Sequence, residues 1–376
     1  MKNKKKFPRF CPRDPDLNHK KSPKNGKCVA VIGGGAAGMA ADRELQIIGY
    51  AVEIFEKREK LGGQMRYSIP PWRAVDALLN KQTEFLKKIG AKINNNFLVN
   101  KDNFSNIKTK NDAVLITTGC SIPRKMEIKG EEYCLEGISF LEKFRYGEVA
   151  TLKKELNQKK VLILGGGNTA IDVAVTAARF GAEAKLVYRR TKDEMPAFSH
   201  EIEVAEKEGV EFEFLLSPVE IYKKDDLLEV TFNKNKIEGR GEDGRNMFIS
   251  TGEVAKASFH KVITAIGEKR DSSFIEEGEG IFLGGDLRYG PGDISRAVFD
   301  GRKAALDIDK FFFGDKSREV FPGEGICYDC GVCIVRCPTK AIDRKGKEKY
   351  EANLEKCISC GICEKTCPGN VWLMLD

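Results

Sequence analysis

Histidine is the scarcest chemistry-bearing residue in this sequence of 376 residues: only His19, His200 and His260 occur, and they form no cluster. No Ser/His/Asp set and no carboxylate pair stands at a catalytic spacing, so hydrolysis and general acid–base catalysis lack candidate residues. Long hydrophobic runs are missing too. Nothing approaches the roughly 18 apolar residues of a spanning helix. A hydrophobic content of 41% against 32% charged describes a polar globular chain with no membrane span. Before Cys327, Cys11, Cys28, Cys120 and Cys134 stand singly, with no C-x-x-C among them. Disulfide exchange therefore has no reactive pair there, and Cys28, Cys120 and Cys134 are expected to pack as small buried hydrophobes. This length leads us to expect two to three domains.

The net charge of +7 is unevenly spread. Residues 1–27 hold ten Lys or Arg against two Asp, a net of +8, which leaves the remainder at −1. This lead contains Lys4-Lys5-Lys6, Lys20-Lys21 and four prolines, with almost nothing apolar to bury. It is expected to stay disordered or draped on the surface rather than to serve as a nucleic-acid arm. It lacks the Ser-rich amphipathic pattern of a transit peptide, no signal peptide is seen, and the expected compartment is the reducing cytoplasm.

Cysteine abounds only near the end. Cys327-x2-Cys330-x2-Cys333-x3-Cys337-Pro338 is followed by Cys357-x2-Cys360-x2-Cys363-x3-Cys367-Pro368, so eight of the twelve cysteines lie in two copies of one pattern. That spacing is the one found in bacterial two-cluster ferredoxins, where the fourth cysteine of each run serves the other cluster. One [4Fe–4S] cluster is expected on Cys327, Cys330, Cys333 and Cys367, and a second on Cys357, Cys360, Cys363 and Cys337. Zinc sites take two C-x-x-C pairs, and disulfide frameworks belong to small secreted domains. Neither matches runs of four closed by Cys-Pro.

Two stretches share another layout. Cys28 to Ile32 reads as a buried strand, Gly33-Gly34-Gly35-Ala36-Ala37-Gly38 as a G-x-G-x-x-G turn, Ala40 to Ile48 as a helix, and Val52 to Glu56 as the next strand. Such glycines let backbone approach a pyrophosphate held at the helix N-terminus, and a terminal acid such as Glu56 accepts from a ribose 2′-OH. Val161 to Leu164 then leads into Gly165-Gly166-Gly167-Asn168-Thr169-Ala170, a helix ending at Gly181, and a strand from Ala184 to Tyr188. Tyr188 stands where the acid stood, followed by Arg189-Arg190. Loss of the acid and gain of two guanidiniums fits a ribose bearing a 2′-phosphate. The bland reading of the two arginines is a solvated strand end.

Further segments resemble one family. Leu61-Gly62-Gly63-Gln64, Tyr67-Ser68-Ile69-Pro70-Pro71-Trp72-Arg73, Thr117-Thr118-Gly119, Glu194-Met195-Pro196-Ala197, Glu208-Gly209-Val210, Ala265-Ile266-Gly267 and Leu283-Gly284-Gly285-Asp286 resemble the signature segments of the glutamate synthase small-subunit family. That family includes the flavin-binding part of dihydropyrimidine dehydrogenase and the large subunit of bifurcating NADH-dependent ferredoxin:NADP oxidoreductase. The likeness covers residues 24–316. It implies FAD on Gly33, Gly35, Ala36, Ala37, Gly38, Glu56, Gly63, Arg73, Gly119, Gly285 and Asp286. It implies NADPH on Gly167, Asn168, Thr169, Ala170, Arg189, Arg190 and Gly267. It also implies that the helix Ile294 to Phe311 aims its N-terminus at the flavin. The chain departs from the pattern at Ser68 and Ala74-Val75, and where relatives carry a cysteine-bearing helical domain it has the basic lead with Cys11.

The expected architecture is α/β: two Rossmann-like dinucleotide-binding domains, the NADPH domain inserted in the FAD domain, plus a small α+β two-cluster ferredoxin module. The boundaries expected are a basic lead over 1–27, FAD-binding parts over 28–145 and 271–316, the NADP-binding domain over 146–270, and the ferredoxin module over 317–376. Hydride donors give two electrons and clusters accept one, so FAD between them is the needed converter. The favoured reading is an oxidoreductase passing hydride from NADPH to FAD and single electrons through the clusters to a catalytic subunit or ferredoxin, in a hetero-oligomer. Two alternatives stay open: an electron-bifurcating subunit, and a ferredoxin-type carrier without NADPH turnover of its own.

Overall fold

Val29, Val31 and Ile32 lie at the centre of a parallel sheet, which is why their run is unbroken by polar residues. The computed structural model describes residues 24–74, 76–240, 246–271, 273, 275, 278–314, 320–322, 332–337, 339–346, 349–353, 356, 357, 363 and 372–374. Two compact units share these residues. One holds the described residues up to Lys60, Thr83–Thr118 and those from Ser273 onward; the other holds Leu61–Gln82 and Gly119 to Asp271.

In the first unit five parallel strands run in the order Ile281–Leu283, Ala113–Ile116, Cys28–Ile32, Ala51–Phe55, Lys92–Asn94. The helix Ala36–Ile47 packs against Ile294–Phe313. Gly301 permits this approach: a Cβ there would lie 2.1 Å from Ala37 O. The longer helix is capped by Asp293, whose side chain accepts the Arg296 N–H at 2.8 Å. The first helix starts at Ala36 rather than Ala40, because Gly35 has the extended backbone of an N-cap. Cys28 is a correction. It is exposed, since it opens its strand at the sheet's margin, whereas Cys120 is buried and Cys134 half-buried.

The second unit repeats the design with five parallel strands in the order Leu135–Glu136, Lys261–Thr264, Lys160–Leu164, Glu183–Tyr188, Glu211–Phe214. It adds a three-stranded antiparallel sheet, Leu216–Lys224, Leu227–Arg240 and Asn246–Phe259. Residues 61–82 and 119–145, assigned from sequence to the first nucleotide fold, lie in this unit. Their contacts explain it. The Trp72 ring sits 5.5 Å from Phe144 and under the Arg179 guanidinium at 4.2 Å. Cys120–Pro123 pairs antiparallel with Glu268–Arg270.

Near the C-terminus, Val320–Pro322 pairs antiparallel with Trp372–Met374, and Ile342–Gly346 forms a hairpin with Lys349–Ala352. Cys333 and Cys363 are buried with Ile342, Tyr350 and Trp372 in one apolar cluster.

Gly301→Ala tests the helix contact. Overpacking of this kind costs about 1–3 kcal/mol, so the variant should melt several degrees lower in a thermal scan. An unchanged midpoint would mean that the two helices part freely.

Candidate functional site

The first glycine turn is held by backbone contact. Gly33 has a φ of 100°, and a Cβ there would lie 2.7 Å from Thr117 O. A Cβ on Gly38 would lie 2.0 Å from Gly33 O, so only glycine lets the helix begin this close to the strand. Thr117 Oγ1 donates to Gly33 O at 2.8 Å, tying the return strand to the turn. The helix Ala36–Ile47 has Gly35 at its N-cap and no side-chain cap, which leaves first-turn N–H groups to meet an anion. Glu56 is buried; its Oε2 accepts the Gly34 N–H at 2.7 Å and its Oε1 the Arg58 N–H at 2.9 Å. A carboxylate has about four lone-pair sites, so acceptors remain for ribose hydroxyls.

Gly285 reaches the same turn from the end of the unit. Its φ is 69°, and a Cβ there would lie 2.7 Å from Ala37 Cβ. Its N–H donates to Asp300 Oδ2 at 2.6 Å. Asp300 is 1% exposed, and its Oδ1 has no hydrogen-bond partner among the described residues. Burial pushes the Asp300 carboxyl up, against the pull of the Gly285 N–H and Arg288. Burial also raises Asp286, opposed by the Gly292 N–H and Arg296. Gly33, Gly35, Ala36, Ala37, Gly38, Glu56, Gly285 and Asp286 thus gather around one uncapped helix end. That arrangement fits a pyrophosphate with its ribose.

The second turn is built alike. A Cβ on Gly165 would lie 2.2 Å from Ala265 O, whereas one on Gly167 would meet nothing within 4 Å, so backbone there is open to approach. Gly167 caps Asn168–Arg179, again without a side-chain cap. Asn168 Oδ1 accepts the Phe198 N–H at 3.0 Å, and Gly166 O accepts the Ala197 N–H at 3.2 Å. These bonds tie the Met195-Pro196-Ala197 segment to the turn. The Tyr188 ring lies against Gly166, where a Cβ would be 2.5 Å from it. Arg189 is exposed; Arg190 is half-buried, with Nη1 3.5 Å from Glu194 Oε1. Gly267, with a φ of 97°, faces the Arg124 side chain.

A family profile described as pyridine nucleotide-disulphide oxidoreductase matches residues 27–301, and one described as 4Fe-4S dicluster domain matches residues 306–371. The chain belongs to the pyridine nucleotide-disulphide oxidoreductase family. It is 33% identical to the NADP(+)-dependent formate dehydrogenase subunit beta of Moorella thermoacetica over 76% of this chain and 44% of that protein. It is 34% identical to the NADPH-Fe(3+) oxidoreductase subunit beta of Geobacter sulfurreducens over 69% of this chain and 40% of that one. It is 26% identical to the glutamate synthase [NADPH] small chain of Escherichia coli K12 over 78% of this chain and 70% of that one. The chain therefore spans about two-fifths of the length of the first curated relatives it matches. Among solved structures, Mycobacterium tuberculosis FprA in complex with NADPH has the same fold, with a TM-score of 0.67 at 17% identity over 76% of this chain and 84% of that one.

The cofactor set of the family and its dicluster domain is FAD, NADPH and two [4Fe–4S] clusters. The family's name covers disulfide reductases, yet among the described residues no dithiol stands beside either turn. The half-buried Cys134 thiol is pushed up to about 12 by burial and then by Glu131 and Glu132, which keeps it protonated and inert. No helix among the described residues is long and apolar enough to cross a membrane. Of the eight cysteines expected from the sequence to hold the clusters, Cys327, Cys330, Cys360 and Cys367 lie outside the described residues. Cys337 and Cys357 lie partly buried against the apolar group that holds Cys333 and Cys363. Cys337 Sγ accepts the Ala341 N–H at 3.2 Å, the kind of bond that tunes a cluster thiolate.

Gly63, Arg73 and Gly119 fall in the second unit. Arg73 is committed to carboxylates: Nη1 lies 2.8 Å from each Asp172 oxygen and Nε 3.2 Å from Glu201 Oε1. Asp172 and Asp300 escaped the sequence reading, and Glu194 entered it only as part of the segment Glu194-Met195-Pro196-Ala197. Thr191-x-x-Glu194 is a capping-box pattern that points to Glu194, and an acid on the apolar stripe of the last long helix points to Asp300.

Asp172 gives a pH prediction. Burial raises its carboxyl to about 6, with Arg73 pulling it down and Glu201 adding to the rise. A folded pKa above the unfolded value of about 3.9 makes its contribution to stability complete below that value. The contribution is lost as pH climbs through the folded pKa. Between pH 4 and 7 the wild type should therefore lose about 2–3 kcal/mol relative to Asp172→Asn, measured by denaturant midpoints. Parallel curves for the two proteins would contradict this.

Proposed function

We propose that this chain takes hydride from NADPH and hands on single electrons to a separate catalytic subunit or a ferredoxin in the cytoplasm. The observation that carries the reading is a pair of uncapped glycine-turn helices, each at the carboxyl edge of its own parallel sheet, on a chain with eight cysteines in two-cluster spacing. In this assignment FAD lies on the turn at Gly33–Gly38 with Glu56, Gly285 and Asp286. NADPH lies on Gly167, Asn168, Thr169 and Ala170 with Arg189, Arg190 and Gly267. The Moorella and Geobacter relatives are both named as beta subunits, which supports a partner chain.

When bound, FAD supplies the exchange between a two-electron hydride and one-electron carriers. The chain's own part is positional. Helix N-termini face the pyrophosphates with unpaired N–H groups, and Glu56 accepts from a plain ribose. Arg189 and Arg190 grip a 2′-phosphate with charge-assisted bonds. The cysteine thiolates hold the clusters, with Ala341 N–H on Cys337 Sγ. No side chain is asked to act as acid or base.

Anaerobic addition of NADPH to the purified holoprotein should bleach its flavin and cluster absorbance. A holoprotein that neither NADPH nor NADH bleaches would overturn the reading in favour of a carrier with idle nucleotide sites. Replacing both Arg189 and Arg190 by Ala should raise the KM for NADPH roughly ten- to a hundred-fold, with the KM for NADH little changed. Equal losses for the two nucleotides would sink the 2′-phosphate assignment.

A further inference from the structure

The antiparallel sheet of the second unit has no place in the electron path above, yet its long hairpin reaches the strand end that carries the two arginines. The first hairpin strand, Leu227–Arg240, shifts register between Asn233 and Asn235. Such a bulge re-aims the residues beside it. Asn235 N–H donates to Leu215 O at 2.7 Å, and its Nδ2 donates to Arg189 O at 3.1 Å and to Ser217 Oγ at 2.8 Å. Leu215 N–H in turn donates to Arg190 O at 3.2 Å. The second strand, Asn246–Phe259, sets the Phe248 ring 5.3 Å from the Arg190 guanidinium carbon. Asn246 hydrogen-bonds the Glu194 carboxylate. Glu194 Oε2 also accepts from Thr191 Oγ1 at 2.9 Å, while its Oε1 stands 3.5 Å from Arg190 Nη1.

We infer that this hairpin is a specificity element of the second nucleotide site, with Phe248 as a positioning residue that holds the Arg190 guanidinium ready for a 2′-phosphate. The inference rests on the assignment of NADPH to the second glycine turn, and it adds residues that lie outside every turn motif. An arginine side chain has many rotamers, and ordering it on binding weakens affinity. Here the ring and the Glu194 carboxylate order it beforehand. A guanidinium has five N–H donors, and these two contacts leave others for the ligand.

Glu194 opposes an incoming phosphate by its charge, so the two effects must be weighed. Desolvation lifts its carboxyl, but bonds from Thr191 and Asn246 and the nearby Arg190 outweigh this and hold it below the usual carboxylate range. It is therefore ionised at neutral pH. Its contact with Arg190 is long and made through a single nitrogen, and such pairs near the surface are weak. A bidentate phosphate is the stronger partner. Orientation by Phe248 and Glu194 favours NADPH, and the residual carboxylate charge only tempers that preference.

The test uses the holoprotein and two probes, 2′,5′-ADP and 5′-ADP, titrated calorimetrically, beside dye reduction with NADPH and NADH. Phe248→Ala should weaken 2′,5′-ADP binding and raise the KM for NADPH by roughly three- to ten-fold. It should leave kcat, 5′-ADP binding and the KM for NADH unchanged. Phe248→Tyr should restore the wild-type values. If Phe248→Ala changes neither probe, or weakens both equally, the hairpin has no part in specificity and the inference is overturned. Arg190→Ala separates this failure from a deeper one. If that variant too leaves the ratio of 2′,5′-ADP to 5′-ADP affinity unmoved, the 2′-phosphate assignment itself is wrong.

Discussion

Contact of backbone with backbone at glycine is the constraint on which the rest depends. Added Cβ atoms would stand 2.0 Å from Gly33 O at Gly38, 2.2 Å from Ala265 O at Gly165, and 2.1 Å from Ala37 O at Gly301. No side chain fits such gaps. The first two contacts seat a helix N-terminus directly at the end of a parallel strand, and the glycine N-caps Gly35 and Gly167 bring no capping side chain; the third packs the first helix against Ile294–Phe313. The first-turn N–H groups are then left for an anion, and the helix dipole adds to their pull. A site made this way is built from main chain. It needs neither a catalytic histidine nor a catalytic carboxylate pair, in keeping with a sequence whose three histidines form no cluster.

Much of this could be read from the residues alone. Parallel strands covered on both faces leave unbroken apolar runs, so Cys28 to Ile32 and Val161 to Leu164 announce themselves, and the glycines that follow fix where each run turns. Glu56 and Tyr188 are found by counting from those turns. Long-range packing is another matter. The segment 61–73 carries turn residues and a Pro-Pro pair, but nothing in it says that Trp72 will lie under Arg179 or that Arg73 will face Asp172. Cys28 looks buried by its neighbours and is exposed only because it opens the strand. Phe248 lies more than fifty residues from Arg190 in the chain, and no local pattern links them.

The network around Arg73 shows why burial and stability differ. One guanidinium meets two carboxylates, Asp172 being about as buried as a core residue. Desolvation of Asp172 outweighs the help from Arg73, since its carboxyl rises instead of falling. Such a cluster adds little net stability, but removing one partner strands a buried charge. What it supplies is location: Arg73 meets Asp172 on the helix that follows the second glycine turn and Glu201 on Ser199–Lys207. With Trp72 against Phe144, this ties residues 70–73 to the second nucleotide fold.

The two glycine turns differ where nucleotides differ. At the first, a buried carboxylate is aimed at the turn and anchored by the Gly34 and Arg58 N–H groups. A 2′-phosphate beside it would bring two anionic groups together away from water, a cost that a plain hydroxyl avoids. At the second, the ring of Tyr188 fills the corresponding space against Gly166, and its hydroxyl donates to Glu194 O at 3.2 Å. The strand then ends in two guanidiniums, one exposed and one held by its neighbours. On the proposed assignment, one chain keeps two similar cofactors apart on two five-stranded parallel sheets, the second carrying the added hairpin. Discrimination, on that assignment, lies where the second strand of each fold finishes, in a carboxylate just past it at Glu56 and in the Tyr188 ring followed by cations at the other.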